Sequence, residues 1–285
     1  MVELQTIHLD KSFFKSEMRD GFEILTDRKE VWAVEMDLLS KFIEICNKYG
    51  LTYFAEGGTL LGAIRHGGFI PWDDDIDVAM PRRDYDVLCS VAEENFKHPY
   101  FFQTEYTEPG SARDNHAQLR NSDTTGILYA EMQKQYLFNQ GIFIDIFPMD
   151  ELPPASERKA FFETLKGLRE KSYQYTHEVM RKEYRGNNIY YKKLDSLVKR
   201  YNGKGSDKIG LISFSLDKRH NIRDAEDYRD AIMVPFENIK IAVPIGYKNV
   251  LRTMYGIWKV FVIGDSVHGG IFFDTNYPYT KYVRR

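Results

Sequence analysis

The 285-residue sequence predicts an α/β fold of the α+β kind, with a mixed sheet and a helical insert. Three observations carry this. Amphipathic helical stripes alternate with short apolar strands through residues 28–155. An acidic–apolar strand within Pro71–Met80 is answered about seventy residues later by an apolar strand, Gly141–Pro148, with one charge in its middle. After Pro153-Pro154 the chain turns helical, Tyr-rich and basic.

The elements follow in order. Residues 1–27 read as an N-terminal arm with short strand-like pieces. Asp27-Arg28-Lys29-Glu30 has the form of a capping box. A helix follows, with Val31, Val34, Leu38, Phe42, Ile45 and Tyr49 on one stripe, and Gly50 ends it. Leu51–Ala55 is a short strand broken by Gly57-Gly58, and Thr59–Arg65 is one or two helical turns before the loop His66-Gly67-Gly68. Arg83–Phe96 is a second amphipathic helix. Tyr100–Thr104, Ala117–Arg120 and Gly126–Tyr129 are strands. Residues 28–155 thus read as a core unit, 156–208 as a basic helical insert, and 209–285 as a C-terminal part packing back on the core. That last part holds strands from Met233, a short helix to Tyr255 and a Gly- and aromatic-rich end.

Bulk composition narrows the function classes. With 43% apolar and 14% aromatic residues the chain can build a real core and is not disordered. A net charge of −3 is wrong for a nucleic-acid binder. The insert 156–208 is basic while the rest is acidic, which makes it a candidate face for an anionic acceptor or a peripheral membrane contact; a solvated helical face explains it equally well. Cys46 and Cys89 lie among apolar residues and imply neither a disulfide framework nor a zinc site. The N-terminus lacks the apolar core of a signal peptide, and no apolar run approaches the ~18 residues of a spanning helix, so the expectation is cytoplasmic.

The chemistry concentrates in Pro71-Trp72-Asp73-Asp74-Asp75-Ile76-Asp77-Val78-Ala79-Met80. Strand alternation sends Asp75 and Asp77 to one side, about 6–7 Å apart, and Ile76 and Val78 into the core. An EF-hand starting at Asp73 would need Gly at Val78 and Glu at Asp84, and both fail. Two carboxylates about 6 Å apart repel by nearly 3 kcal/mol at an effective dielectric of about 20. The buried Asp145 needs a partner too; a satisfied structural Asp is the alternative, and a site shared with Asp75 and Asp77 explains it better. A bound cation resolves all three, and an oxygen-only donor set points to Mg²⁺ or Mn²⁺. Gly57-Gly58-Thr59, between a strand and a helix start, can cradle a phosphate with backbone N–H groups. Arg65 is a candidate phosphate clamp, against the alternative of a surface Arg, and Glu56 would touch the donor or cap the turn.

Apolar-Gly-Gly, then Asp-x-Asp on a strand, then a third acidic residue on a neighbouring strand resembles the nucleotidyltransferase (polymerase-β-like) core. The finer resemblance is to the LicD family. It is carried by YFAEGGTLLGAIRHGGFIPWDDDIDVAMPRRDYD (Tyr53–Asp86) and GIFIDIFPMD (Gly141–Asp150), and more loosely by FENIKIAVPIGYKNVLRTMYG and the terminal DTNYPYTKY. It implies transfer of a phospho-alcohol, typically phosphocholine, from a CDP-linked donor to a hydroxyl of a surface glycan or its lipid-linked precursor, with CMP leaving; the fukutin-related ribitol-phosphate transferases are distant relatives. On this reading Asp75, Asp77 and Asp145 hold the metal, Asp145 takes the acceptor's proton, and Gly57, Gly58, Thr59 and Arg65 contact the donor. The chain departs from the family at Tyr255-Gly256-Ile257, where an acidic residue is usual after Gly; His268 is the candidate for a commonly present histidine and an alternative base. The competing classes are a nucleotidyltransferase releasing pyrophosphate, a GT-A-type glycosyltransferase lacking its usual preceding nucleotide-binding half, and a catalytically dead binding module.

Overall fold

The computed structural model describes residues 1–111, 115–180, 187–215, 221–262 and 270–283. A hairpin of β1 (Glu17–Arg19) and β2 (Phe22–Ile24) leads into the long helix α1 (Thr26–Tyr49). The stripe read from sequence is its buried face, from Val31 to Ile45. Its start differs from the expected capping box. The N-cap is Leu25, which offers no side-chain bond; Asp27 lies inside the first turn, where it still favours the helix dipole, and Glu30 accepts from Thr275 Oγ1 at 2.6 Å. Gly50 ends the helix at φ 63°, and the N–H of Leu51 reaches back to the Cys46 carbonyl at 2.8 Å.

Then come β3 (Phe54–Ala55), α2 (Gly57–Arg65), β4 (Asp77–Pro81), α3 (Arg82–Asn95), β5 (Tyr100–Gln103), β6 (Ala117–Asn121), β7 (Thr125–Leu128) and β8 (Ile142–Glu151). The basic segment folds as α4 (Arg158–Tyr175) and α5 (Ile189–Val198), followed by β9 (Lys208–Gly210) and β10 (Arg223–Asp224). The hairpin of β11 (Ala231–Phe236) and β12 (Ile239–Pro244), the helix α6 (Tyr247–Tyr255) and β13 (Ile271–Asp274) complete the order.

The main sheet is mixed, as expected from sequence. β8 is its spine. It pairs parallel with β4, antiparallel with β6 along its first half and antiparallel with β9 at its end; β3, β5 and β10 extend the edges. One sheet face is closed by the core. Ile142, Ile144 and Ile146 of β8, Ala117 and Leu119 of β6, and Val78 of β4 are all fully buried there, with α1 among the elements packed on them. Strand period two sends Phe143, Asp145 and Phe147 to the other face, and with them Gln118 and Arg120 of β6. The candidate site residues of β6 and β8 therefore sit on the sheet face that helix α1 does not fill.

The helices of the basic segment form their own small core, with Phe161, Phe162, Leu165, Leu194 and Val198 buried together. Asp150 of β8 takes a bidentate pair from Arg82 of α3, whose Nε and Nη2 each donate at 2.7 Å, and Asn202 Nδ2, just beyond α5, adds a third bond that ties the basic segment to the same carboxylate. Both cysteines are free thiols among apolar side chains; burial is the main force pushing each up, that of Cys89 to about 12. No helix among the described residues is long and apolar enough to cross a membrane.

Candidate active site

Strand register brings the predicted carboxylates together. Asp77, the first residue of β4, is the direct partner of Asp145 across the parallel β4–β8 pair, at a strand spacing of about 4.8 Å. On the other side of β8 the partner of Asp145 is Gln118. Asp75 lies two residues before Asp77 in an extended lead-in rather than in the strand itself. The burial alternation expected from sequence holds: Asp75 and Asp77 are half-buried, whereas Ile76 and Val78 are fully buried.

The lead-in is held from α1. Arg28 Nη1 and Trp32 Nε1 both donate to the Asp73 carbonyl, at 2.9 and 3.1 Å, and Trp32 stacks on Phe69 with ring centroids 4.5 Å apart. Asp73, Asp74 and Asp75 each place a carboxylate oxygen within 4.8 Å of the others, and Arg28 lies 3.9 Å from Asp74. Asp75 also acts electrostatically on Asp77 and lines the same cleft as Asp77 and Asp145.

Opposite the carboxylates stands the N-terminus of α2. The backbone at Gly57 has φ 54°, and a Cβ there would meet Asp77 Oδ2 at 2.9 Å; at Gly58 a Cβ would meet Asp73 Oδ2 at 2.4 Å. The left-handed backbone at Gly57 favours glycine, and at both positions a side chain would have to push a carboxylate away from the helix start, where the positive dipole end favours negative charge. Gly57→Ala is accordingly expected to cost about 1–2 kcal/mol in stability and to displace Asp77. Urea denaturation of the variant checks this; an unchanged midpoint would show that the carboxylate yields freely.

Thr59, expected beside a phosphate, is placed in the first turn of α2 with its hydroxyl turned to β4. It is buried, and its Oγ1 accepts from the Asp77 backbone N–H at 2.8 Å, fixing the start of β4. Glu56, the N-cap of α2, borders the same cleft as Asp77, with its carboxylate engaged by an arginine. Arg223 grips it with Nη1 to Oε2 at 2.7 Å and Nη2 to Oε1 at 2.6 Å, in a pair nearly excluded from water. Arg65 ends α2, about 12 Å along the helix from Gly57. Its Nη1 donates to the Trp258 carbonyl at 3.2 Å and its guanidinium lies 4.9 Å from the Phe261 ring. His268 lies outside the described residues.

Sequence reasoning missed three contributors. His116 Nε2 lies 2.8 Å from Asp145 Oδ1, and Gln118 Nε2 donates to the same oxygen at 2.7 Å. Arg120 Nη2 donates to Gln118 Oε1, while its Nε and Nη1 reach Gln103 Oε1 and the Gly141 carbonyl at 2.6 and 2.7 Å. The signal was present: in His116-Ala117-Gln118-Leu119-Arg120 polar and apolar residues alternate with period two, so all three polar side chains share a face. Glu35, on α1 beneath the acidic lead-in, was also missed.

Electrostatics follow from this crowding. Burial, then Asp75, Asp145, Asp73 and Glu56, push the Asp77 carboxyl well above the usual carboxylate range. Burial, then Asp75 and Asp74, do the same to Glu35. Burial lowers the Arg120 guanidinium to about 10, so it stays charged at neutral pH. Such a group of carboxylates, all oxygen donors, fits a hard divalent ion, and Asp75, Asp77 and Asp145 could hold it.

Two clefts meet at Gly57, Asp75 and Asp77. The first, of about 440 Å³, is walled by Gln103, His116, Gln118, Arg120, Asp145 and the rings of Phe143, Phe147 and Phe214. The second, of about 430 Å³, is walled by Gly58, Arg65, Trp72, Asp73, Tyr255 and Trp258. Two substrates could therefore approach one acidic junction from different sides.

Comparison with known proteins bears on the same segment. The profile of the family described as LicD/FKTN/FKRP, nucleotidyltransferase domain, matches residues 50–181. The lipopolysaccharide cholinephosphotransferase LicD of Haemophilus influenzae is 36% identical over 140 residues, 48% of this chain and 49% of that protein. The ribitol 5-phosphate transferase FKRP of Mus musculus is 31% identical over 99 residues, 35% of this chain and 17% of that protein. The match thus spans about half the length of the bacterial relative and less of the mouse one. Through the stretch that carries the acidic junction, residues 50–181, the chain is similar to the nucleotidyltransferase domain of the LicD/FKTN/FKRP family.

Proposed function

We propose that the protein is a transferase that moves a phospho-alcohol from a CDP-linked donor to a hydroxyl of a glycan or lipid-linked glycan, releasing CMP. The observation that carries this is the meeting of two clefts at Asp75 and Asp77, beside Asp145 and the N-terminus of α2. The relatives named as a cholinephosphotransferase and a ribitol 5-phosphate transferase support the reaction type.

In this reading the acceptor oxygen attacks the phosphorus that bears the alcohol, and the bond from that phosphorus to the oxygen of CMP breaks. Mg²⁺ or Mn²⁺ held by Asp75, Asp77 and Asp145 would neutralise charge on the diphosphate. Backbone N–H groups at Gly57 and Gly58 offer the phosphates the positive end of α2. Asp145 takes the acceptor's proton, and His116 and Gln118 orient the carboxylate that does so. Arg120 and the amides around it bind the polar part of a substrate in the first cleft. Positioning and charge neutralisation supply most of the acceleration. His268 remains a proposed alternative base.

The family description favours one second reading, nucleotidyl transfer with pyrophosphate leaving. Incubation with a panel of CDP-alcohols, Mn²⁺ and a glycan acceptor separates the two. CMP release with a modified acceptor is the expected result; pyrophosphate release from a nucleoside triphosphate instead would overturn the reading.

A further inference from the structure

Residues 245–262, along the rim of the second cleft, contain no Asp or Glu, although the chain as a whole carries 42 of them. They contain Lys248, Arg252 and Lys259. Helix α6 buries Val250 and Leu251 and turns Lys248 and Arg252, one helical turn apart, outward. Beyond it, Ile257 is 80% exposed, Val262 71%, Val260 56% and Phe261 50%. Four large apolar side chains within six positions are not the normal surface of a water-facing loop. Nor does the loop hang free. Arg65 donates to the Trp258 carbonyl at 3.2 Å, its guanidinium lies 4.9 Å from the Phe261 ring, and the Val260 N–H closes a turn on the Ile257 carbonyl at 3.0 Å. An apolar tip is thus held in place in a segment whose only charged side chains are the exposed Lys248, Arg252 and Lys259.

We propose that this loop is the protein's anchor to an anionic phospholipid surface. Ile257, Val260, Phe261 and Val262 enter the acyl boundary, Trp258 sits at headgroup level, and Lys248, Arg252 and Lys259 meet the lipid phosphates. Charge complementarity favours a lipid surface over an uncharged apolar partner. The alternative face, 156–208, has the charge but not the tip: its large exposed apolar residues, Tyr173 and Ile189, lie apart on different helices among the described residues. The anchor also has a consequence for the site. Tyr255, Ile257, Trp258, Val260 and Val262 wall the second cleft together with the acidic lead-in, so that cleft opens at the lipid surface.

The test is flotation of the purified full chain with phosphatidylcholine vesicles, with and without phosphatidylglycerol. No donor or acceptor is added, so the result stands apart from the transfer reading. The wild-type chain is expected to float with the anionic vesicles and to be released by salt. Ile257→Ser/Val260→Ser/Phe261→Ser/Val262→Ser, with thermal melting unchanged, is expected to lower partitioning at least about tenfold. Lys248→Glu/Arg252→Glu/Lys259→Glu is expected to remove the preference for anionic lipid. Absence of flotation at low salt would overturn the proposal. So would flotation undiminished in the serine variant, or lost only on charge reversal within 156–208. A lipid-free dimer that the serine variant dissolves would instead assign the patch to a contact between two copies of this chain.

Discussion

Asp77→Asn is expected to lower phospho-alcohol transfer by about 10³-fold or more while making the metal-free protein more stable, by about 1–3 kcal/mol. Both effects have one origin. Asp77 faces Asp145 across the strand pair and presses on Gly57, with Asp75, Asp73 and Glu56 close by. Asparagine keeps the shape and removes the charge that a metal and a diphosphate would need. The pH dependence has a definite sign. The carboxyl of Asp77 ionises at higher pH in the fold than in the unfolded chain, where its pKa is about 3.9. Between those two values the native state binds more protons, so the metal-free wild-type protein loses stability as pH rises, and the Asn variant is spared that loss. Turnover together with thermal melting across pH 4–8 checks both; near-normal turnover would remove Asp77 from the site.

The second large effect is at Arg223. Arg223→Met strips a bidentate partner from Glu56 and leaves an unpaired carboxylate buried beside Asp77. Loss of one partner of such a pair is expected to cost about 3–5 kcal/mol. Arg223→Met/Glu56→Gln is expected to recover most of it, because the orphaned charge is then gone. Chemical denaturation of the two variants decides it: a single variant no weaker than about 1 kcal/mol below wild type would mean that Glu56 is solvated after all.

The parts of this site legible in the sequence were those with a local signature. Period two in Asp75-Ile76-Asp77-Val78 placed two carboxylates outward before any partner strand was known, and an apolar strand interrupted only by Asp145 marked the third. Gly57-Gly58 marked the close approach, although its cause, the carboxylates of Asp77 and Asp73 against the helix start, is a tertiary fact. What escaped depended on pairing. Gln118 reaches Asp145 only because β6 lies antiparallel to β8 in that register, and Arg223 reaches Glu56 from 167 positions away. The capping box failed for a local reason. Asp27 and Glu30 have the right spacing, but helix α1 begins before them, at Thr26, and Glu30 is engaged by Thr275. That the Thr59 hydroxyl secures the backbone of Asp77 is likewise a tertiary fact, not visible in its place after two glycines.

Metal binding probes the junction most directly. Mn²⁺ titration of the wild-type chain, followed by the loss of free-ion electron paramagnetic resonance signal, should show binding that Asp75→Asn, Asp77→Asn and Asp145→Asn each weaken by at least about tenfold, since each would remove one charged oxygen donor. Wild-type affinity retained in Asp77→Asn and Asp145→Asn would contradict a shared site for these carboxylates and leave the pair as strand neighbours only.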